Sequence, residues 1–146
     1  IYLSIKNEFF GIQKNKNTNK KDFWSHTIKN VAHNHYAKWK HPQKLLLELQ
    51  KIDRYCKKNN INLILLIVPH HKEFHDRLKD YNLESAELRF KEEIKTIGKV
   101  VDYDFSNEIT NCKKCFGDPI HTTDSIGEII VTELFSKNLK IGKLLH

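Results

Sequence analysis

The sequence predicts an α/β fold in which helices cover both faces of a parallel sheet. The first observation is a run at residues 61–68 that is rich in β-branched residues, too short for a helix and apolar on both faces, as an inner strand is. The second is the alternation of helical and strand-like patterns along the chain, which is typical of βαβ units. With 146 residues, the chain is long enough for a single domain with a substantial core.

The N-terminal part of the chain gives the least regular pattern. Residues 1–12 are apolar enough to dock on a core, whereas residues 13–21 are a polar, low-complexity stretch that we expect to be an exposed loop. Residues 22–41 combine aromatic residues with histidines, which indicates either a segment anchored by its aromatics or a histidine-rich metal site. The anchored segment is favoured, because His33 and His35 would point to different faces of a helix.

Three amphipathic segments and a second strand complete the predicted elements. Residues 43–59 form the clearest helix, because their apolar side chains recur along one stripe. Residues 84–97 and 124–138 show further helical stripes, and residues 99–105 alternate in part as a strand does. The positions predicted to face the core are Leu46, Leu49, Ile52, Asp53 and Cys56 in the first helix, Leu88, Ile94 and Ile97 in the second, and Ile126, Ile129, Ile130, Leu134 and Phe135 in the third.

The predicted sheet is small for its class. Two strands are fewer than the roughly four to six of a usual sheet. We therefore expect either that the N-terminal segment supplies further strands or that the chain holds an incomplete sheet. Residue 1 is Ile and the chain contains no Met, which favours a fragment or a processed product.

Positive charge is concentrated in the first sixty residues. Residues 1–60 carry 13 Lys and Arg against 4 Asp and Glu, a net charge of +9, whereas residues 61–146 carry 12 against 14, a net charge of −2. The basic half suits an anionic surface, although a solvated lysine-rich face is the more common arrangement. Residues 139–146 are predicted to be a basic tail. No familiar motif for specific nucleic-acid recognition is present, and no apolar run reaches the roughly 20 residues of a membrane span.

The three cysteines do not form a disulfide framework. Cys56 lies in the clearest helix, where we expect a small buried hydrophobe. Cys112 and Cys115 form a lone Cys-x-x-Cys, which is compatible with a local disulfide, two plain thiols, a redox pair or half of a zinc site. A metal held by these cysteines together with Asp118 and His121 is a further alternative.

Asp118 and His121 are the catalytic candidates. Asp118 precedes His121 by three residues on a loop between a predicted strand and a predicted helix. In a hydrolytic relay, a carboxylate orients the imidazole and stabilises its cationic form, and the imidazole takes a proton from a hydroxyl nucleophile. Because Asp-x-x-His also occurs by chance, the spacing alone does not identify such a relay.

His70 and His71 are the candidates for substrate binding. They follow Pro69 directly after the predicted inner strand. In open α/β sheets the loops at the carboxyl ends of the strands form the ligand crevice, so these side chains are expected near any site. Binding of a substrate oxygen is the role we assign to them.

The stretch around Asp118 and His121 also carries a family resemblance. It reads Gly-Asp-Pro-Ile-His-Thr-Thr-Asp-Ser-Ile-Gly over residues 117–127 and continues to Phe135 as Glu-Ile-Ile-Val-Thr-Glu-Leu-Phe. This stretch resembles the last block of the SGNH (GDSL-like) hydrolase superfamily, where an Asp-x-x-His supplies two triad members before the final helix. Residues 60–71 and 100–106 are similar to an inner strand with its loop and to the last strand of the bacterial acyltransferase-like branch.

The resemblance implies a fold and an activity. The fold would be a three-layer αβα domain with a parallel sheet, flavodoxin-like and of the SGNH type. His121 would be the general base and Asp118 its orienting carboxylate, in an enzyme without a cofactor that acts on acyl esters of a carbohydrate or lipid. Because that branch modifies cell-surface polysaccharides, the cell envelope or periplasm is the expected location.

The chain also departs from that family. It contains neither the Gly-Asp-Ser block that carries the nucleophile nor a Gly-x-Asn-Asp block, and Ser4 lies in Leu-Ser-Ile, which does not match. The nucleophile and the oxyanion hole therefore have no assigned residue. Two alternatives remain, a non-catalytic α/β domain for binding or assembly and a metal-binding domain that uses Cys112, Cys115 and His121.

Overall fold

The structure is a computed structural model that describes residues 20–136 and 138–146. The predictions for residues 1–12 and for most of the 13–21 loop lie outside the described residues. Lys20 already belongs to a helix, so the predicted loop is too long at its C-terminal end. No helix in the described ranges has the length and apolar character needed to cross a bilayer.

The described chain starts with a helical segment. Helix α1 (Lys20–His26) continues through a π-helical turn (Thr27–Val31) into helix α2 (Ala32–Tyr36). The later elements, in chain order, are helix α3 (Gln43–Lys58), strand β1 (Ile64–Ile67), helix α4 (Lys72–His75), a 3-10 turn (Asp76–Tyr81), helix α5 (Glu84–Ile94), strand β2 (Lys99–Asp102), a 3-10 turn (Lys113–Cys115), helix α6 (Asp124–Phe135) and strand β3 (Lys143–Leu145).

The three strands form one mixed sheet in the order β1-β2-β3. The predicted pair is parallel, with Leu65 opposite Val100, which confirms that both strands have their carboxyl ends at one edge. The sheet is nevertheless not wholly parallel. Strand β3 pairs with β2 in the antiparallel direction, because its first residue, Lys143, lies opposite Asp102 at the carboxyl end of β2. The predicted basic tail at residues 139–146 thus contains a strand that its sequence did not indicate.

Apolar side chains are buried on both faces of the sheet. Consecutive strand residues point to opposite faces, so Val100 and Val101 belong to different clusters. One cluster joins the strands to α3 and α5, and the other joins them to α1 and α6. The buried members are Leu46, Leu49, Leu65, Ile94, Ile97 and Val100 in the first cluster, and Trp24, Val101, Tyr103, Ile109, Phe116, Ile126 and Ile130 in the second.

Three of the predicted core positions are wrong. Leu88, Ile129 and Phe135 are exposed by 64%, 46% and 68%. In α6 the buried stripe runs instead through Ile126, Ile130 and Glu133, which lie on one helix face because they are four and three residues apart. The remaining apolar residues of α6 are more numerous than one helix face can bury.

Glu133 fixes the chain that leads into β3. Its carboxylate is buried and accepts a hydrogen bond of 2.6 Å from the Tyr103 hydroxyl. It also accepts the backbone N–H groups of Lys140, Ile141 and Gly142, the last two at 2.6 and 3.0 Å. Because one side chain receives four donors, the segment before β3 is held against the end of α6.

Candidate active site at the carboxyl edge of the sheet

Asp118 and His121 are in contact, as the catalytic interpretation requires. The distance from Asp118 Oδ2 to His121 Nδ1 is 2.8 Å. Asp118 Oδ1 accepts the backbone N–H groups of Ile120 and His121 at 2.8 and 3.0 Å, so the carboxylate also closes the turn that carries the histidine. The His121 side chain is 74% exposed. The pair therefore consists of a fixed carboxylate and an imidazole at the surface.

The surroundings of Asp118 favour its ionised form. Burial alone would raise the pKa of this carboxyl group, but the hydrogen bonds from the His121 ring and from the backbone of Ile120 and His121 outweigh it. The pKa of Asp118 consequently lies below its usual value. An ionised Asp118 can accept the Nδ1 proton of His121 and set the tautomer of the ring.

The loop that carries the pair is held by several contacts. Cys112 and Cys115 form a disulfide, and Phe116 and Thr122 form an isolated antiparallel bridge. The backbone N–H of Thr123 donates to the carbonyl of Cys115 at 2.9 Å. In this oxidised state the two sulfurs offer no thiolate, so the alternative metal site with His121 would require the disulfide to be reduced.

His70 forms a second histidine–carboxylate pair, with Asp104. The ring atom Nδ1 of His70 lies 2.7 Å from Asp104 Oδ2, and the backbone N–H of His70 donates to Asp104 Oδ1 at 2.9 Å. His70 follows β1 and Asp104 follows β2, so the parallel pairing of the strands brings them together. The Asp104 side chain is buried, yet the charge and hydrogen bonds of His70 overcome the effect of burial and lower the pKa of its carboxyl group.

His71 lies in a different environment from His70. Its ring is buried and packs edge-on against Trp24 and Phe116. Nδ1 of His71 accepts the backbone N–H of Glu73 at 3.2 Å and so caps α4, and burial lowers the pKa of the ring. Its predicted contact with substrate is untested, but this packing favours a structural role. The backbone N–H of His71 also donates to the carbonyl oxygen of Pro119 at 2.9 Å. This hydrogen bond joins the loop after β1 to the loop that holds Asp118.

A group of charged residues extends from the His70–Asp104 pair toward α5. His75 Nε2 lies 3.0 Å from Glu87 Oε1, and Lys91 Nζ lies 3.0 Å from the same oxygen. Lys91 also contacts Asp102 Oδ2 at 2.9 Å. The sequence interpretation missed Glu87 and Lys91. Their spacing of four residues on a predicted helix, facing the ends of two parallel strands, is the signal that could have identified them.

Two cavities border this charged group. One of about 140 Å³ is polar, and the other of about 170 Å³ has an aromatic wall. His70, His75 and Asp104 line both. The polar cavity is completed by Lys72, Asp76, Phe105, Ser106, Thr110 and Asn111, and the aromatic one by Tyr36, Trp39, Leu78, Leu83, Ala86, Glu87 and Phe90. The linings of both cavities exclude Asp118 and His121, so this exposed pair and the two cavities occupy different parts of the described surface.

The arrangement is suited to proton transfer. Each of two imidazoles, His70 and His121, is hydrogen-bonded to a carboxylate near the loops that follow the strands. A carboxylate-bound imidazole acts as a general base in hydrolysis and in group transfer.

Comparison with protein-family models, with curated proteins and with solved structures found no match for the chain.

Proposed function

We propose that this chain is the C-terminal part of an SGNH-like ester hydrolase or O-acyltransferase that acts on acyl esters of a carbohydrate or lipid. The observation that carries the proposal is the 2.8 Å contact between Asp118 and an exposed His121, directly before α6. The three-layer αβα architecture of that superfamily is part of the proposal. Its support is the parallel pairing of β1 with β2 and the burial of both faces of the sheet.

The proposed mechanism assigns each member of the pair one task. Asp118 accepts the Nδ1 proton of His121 and thereby leaves the lone pair on Nε2. Nε2 takes the proton of a hydroxyl nucleophile as that oxygen attacks the acyl carbonyl, and Asp118 stabilises the imidazolium that forms. The same proton then passes to the leaving alkoxide. His70, whose Nδ1 proton goes to Asp104, would bind the substrate by accepting a hydrogen bond from one of its hydroxyl groups at Nε2.

The test uses the complete polypeptide that the gene encodes and measures acetate released from an O-acetylated glycan. His121→Ala and Asp118→Asn should each lower kcat about 100-fold to 10,000-fold, since the base and its orienting carboxylate act in the chemical step. Asp124→Asn is the matched control, because Asp124 is an exposed carboxylate in the first turn of α6. Equal activity of the wild type and His121→Ala would overturn the proposal.

The alternative is a non-catalytic α/β domain used for binding or assembly. It is favoured by the absence of a Gly-Asp-Ser block from the 146 residues. A serine-directed phosphonate probe separates the two functions, because only a nucleophile activated by a base reacts with it efficiently. Labelling that disappears in His121→Ala would refute the binding-only alternative.

A further inference from the structure

We propose that His75, Glu87 and Asp104 bind a divalent transition-metal cation, for which Zn²⁺ is the representative ion. The three residues come from different elements, since His75 ends α4, Glu87 lies in α5 and Asp104 follows β2. Each offers one ligand atom, and these atoms all lie within 4.8 Å of one another. The site does not include Asp118 or His121 and does not depend on their chemistry, although it shares Asp104 with the His70–Asp104 pair.

The distances are close to those that a cation requires. Zn²⁺ binds imidazole nitrogen and carboxylate oxygen at roughly 2.0–2.2 Å, which places neighbouring tetrahedral ligands about 3.4 Å apart. His75 Nε2 and Glu87 Oε1 are already 3.0 Å apart. The third ligand atom lies within 4.8 Å of both, so the three ligand atoms have to close by at most about 1.4 Å.

The charges around the cluster are unbalanced. The carboxylates of Glu87 and Asp102 both contact the ammonium group of Lys91. The Asp104 carboxylate contacts His70 instead, and only its backbone carbonyl accepts from Lys91. With neutral imidazoles, the three carboxylates of Glu87, Asp102 and Asp104 and the ammonium group of Lys91 carry a net charge of −2. A divalent cation brings this charge to zero. Asp102 and Asp104 are buried, and burial makes an uncompensated charge costly. Lys91 Nζ lies 3.0 Å from Glu87 Oε1, so this oxygen would be shared between the cation and Lys91, whose other contacts are Asp102 Oδ2 at 2.9 Å and the carbonyl of Asp104 at 2.6 Å.

Asp104 is oriented as metal-binding carboxylates commonly are. His70 donates its backbone N–H to one oxygen of Asp104 and contacts the other through its ring. Each carboxylate oxygen has two lone pairs, so one remains on each for a cation. Partners of this kind fix the direction of a ligand and raise metal affinity. The two cavities, which His75 and Asp104 both line, provide access and space for water ligands.

The donor set defines the class of ion. One imidazole and two carboxylates favour first-row divalent cations such as Zn²⁺ or Mn²⁺, whereas Ca²⁺ takes oxygen ligands only. No thiolate takes part, which distinguishes this site from one at Cys112 and Cys115.

The experiment titrates the untagged, chelator-treated chain with Zn²⁺ under oxidising conditions by calorimetry. We expect about one equivalent per chain, with affinity weakened at least about tenfold in His75→Gln and in Glu87→Gln. His41→Gln and Glu93→Gln are the matched controls. His41 Nε2 lies 2.9 Å from Glu93 Oε2, so this is an equivalent His–Glu pair, but among the described residues it has no third ligand. Both controls should bind as the wild type does.

A second measurement distinguishes nitrogen and oxygen ligands from thiolate ligands. Co²⁺ bound to nitrogen and oxygen gives weak visible bands, whereas Co²⁺ bound to thiolate adds an intense near-ultraviolet band, which we expect to be missing. Unfolding midpoints measured without metal show whether each variant folds. If His75→Gln does not fold, the Zn²⁺ affinity of Glu87→Gln decides the test. Substoichiometric Zn²⁺ binding by the wild type overturns the proposal. Unchanged affinity in a folded His75→Gln or Glu87→Gln, or binding lost only in Cys112→Ser, does so as well.

Discussion

Glu133 is the single side chain on which the C-terminal strand depends most directly. Burial would raise the pKa of its carboxyl group, but the Tyr103 hydroxyl and the backbone N–H groups of residues 140–142 lower it below the usual value. A depressed pKa means that the ionised form stabilises the folded state. That contribution is complete above the pKa of the unfolded chain and is lost as the pH falls through the folded value.

Glu133→Gln should therefore destabilise the protein by about 2 kcal/mol at neutral pH, because an amide group replaces an ionised acceptor of several hydrogen bonds. The difference from the wild type should shrink as the pH falls below the ordinary glutamate pKa of about 4.3, where protonation removes the same charge. Urea unfolding at neutral and acidic pH measures both effects. Glu128→Gln, at an exposed position of the same helix, is the control and should change little. A pH-independent difference would contradict this account.

The two histidine–carboxylate pairs show which contacts a local sequence pattern can predict. The Asp118–His121 contact is local, because three residues and one turn separate the partners, so the sequence was sufficient to predict it. The His70–Asp104 contact joins residues 34 positions apart and depends on the register of two strands. The sequence placed His70 at the carboxyl edge but did not indicate its pairing with Asp104.

At the scale of the secondary-structure elements, the segment between α6 and β3 packs so closely on Tyr103 that no space remains beside its ring. A Cβ atom on Gly142 would lie 2.6 Å from Tyr103 Cζ and 2.9 Å from its oxygen. The Tyr103 ring is fully buried and its hydroxyl is held by Glu133, so it cannot move aside. The close approach of the chain to this ring therefore requires glycine.

Gly142→Ala should cost about 1–3 kcal/mol of stability, as overpacking of a filled core does. Gly127→Ala provides the comparison. Gly127 lies inside α6 with open space around it, so alanine should stabilise the helix by about 0.5–1 kcal/mol. Chemical unfolding of the two variants should thus give shifts of opposite sign. Equal shifts would show that the approach to Tyr103 is not tight.

Strand β1 is expected to be intolerant of charge. Leu65 is buried in the apolar cluster that joins the sheet to α3 and α5, where a carboxylate would lie among apolar side chains. Leu65→Asp should cost about 4 kcal/mol or more and prevent stable folding. Val68→Asp, one residue beyond the strand at a 43% exposed position, should change stability by about 0.5 kcal/mol or less. Among the described residues β1 is an edge strand of the sheet, yet Leu65 is buried. Thermal unfolding measures both variants, and a Leu65→Asp variant as stable as Val68→Asp would show that Leu65 does not belong to the core.

The elements differ in how far their sequences predicted them. Helix α3 and strand β1 were predicted because each has a strong, uninterrupted pattern that tertiary contacts reinforce. Strand β3 was not, since three residues in a lysine-containing stretch are too few for an alternating pattern. Its stability comes from pairing with β2 and from Glu133, neither of which is a local property.

At the scale of the whole molecule, the chain holds the hydrogen-bonded pair of Asp118 and His121 without an assigned nucleophile. Ser106 lies on the rim of the polar cavity and accepts a hydrogen bond from Asn111 at 3.2 Å. Ser125 lies in the first turn of α6, with its hydroxyl 3.1 Å from that of Thr123. Ser4 is outside the described residues. Neither Ser106 nor Ser125 stands on a sharp strand-to-helix turn, the position from which a nucleophile attacks in many hydrolases.

These 146 residues alone should therefore be a poor esterase. A base and its carboxylate achieve little without a positioned hydroxyl and donors for the developing oxyanion, because the parts of a triad act as a unit. We expect hydrolysis of an activated acetyl ester by the chain to equal that by its His121→Ala variant, measured at matched concentration. The opposite result, a clear excess over His121→Ala that is lost on replacing one serine, would place the nucleophile within these residues. Replacing Ser4, Ser106 and Ser125 one at a time would then identify it, with Ser85 in the first turn of α5 as the control.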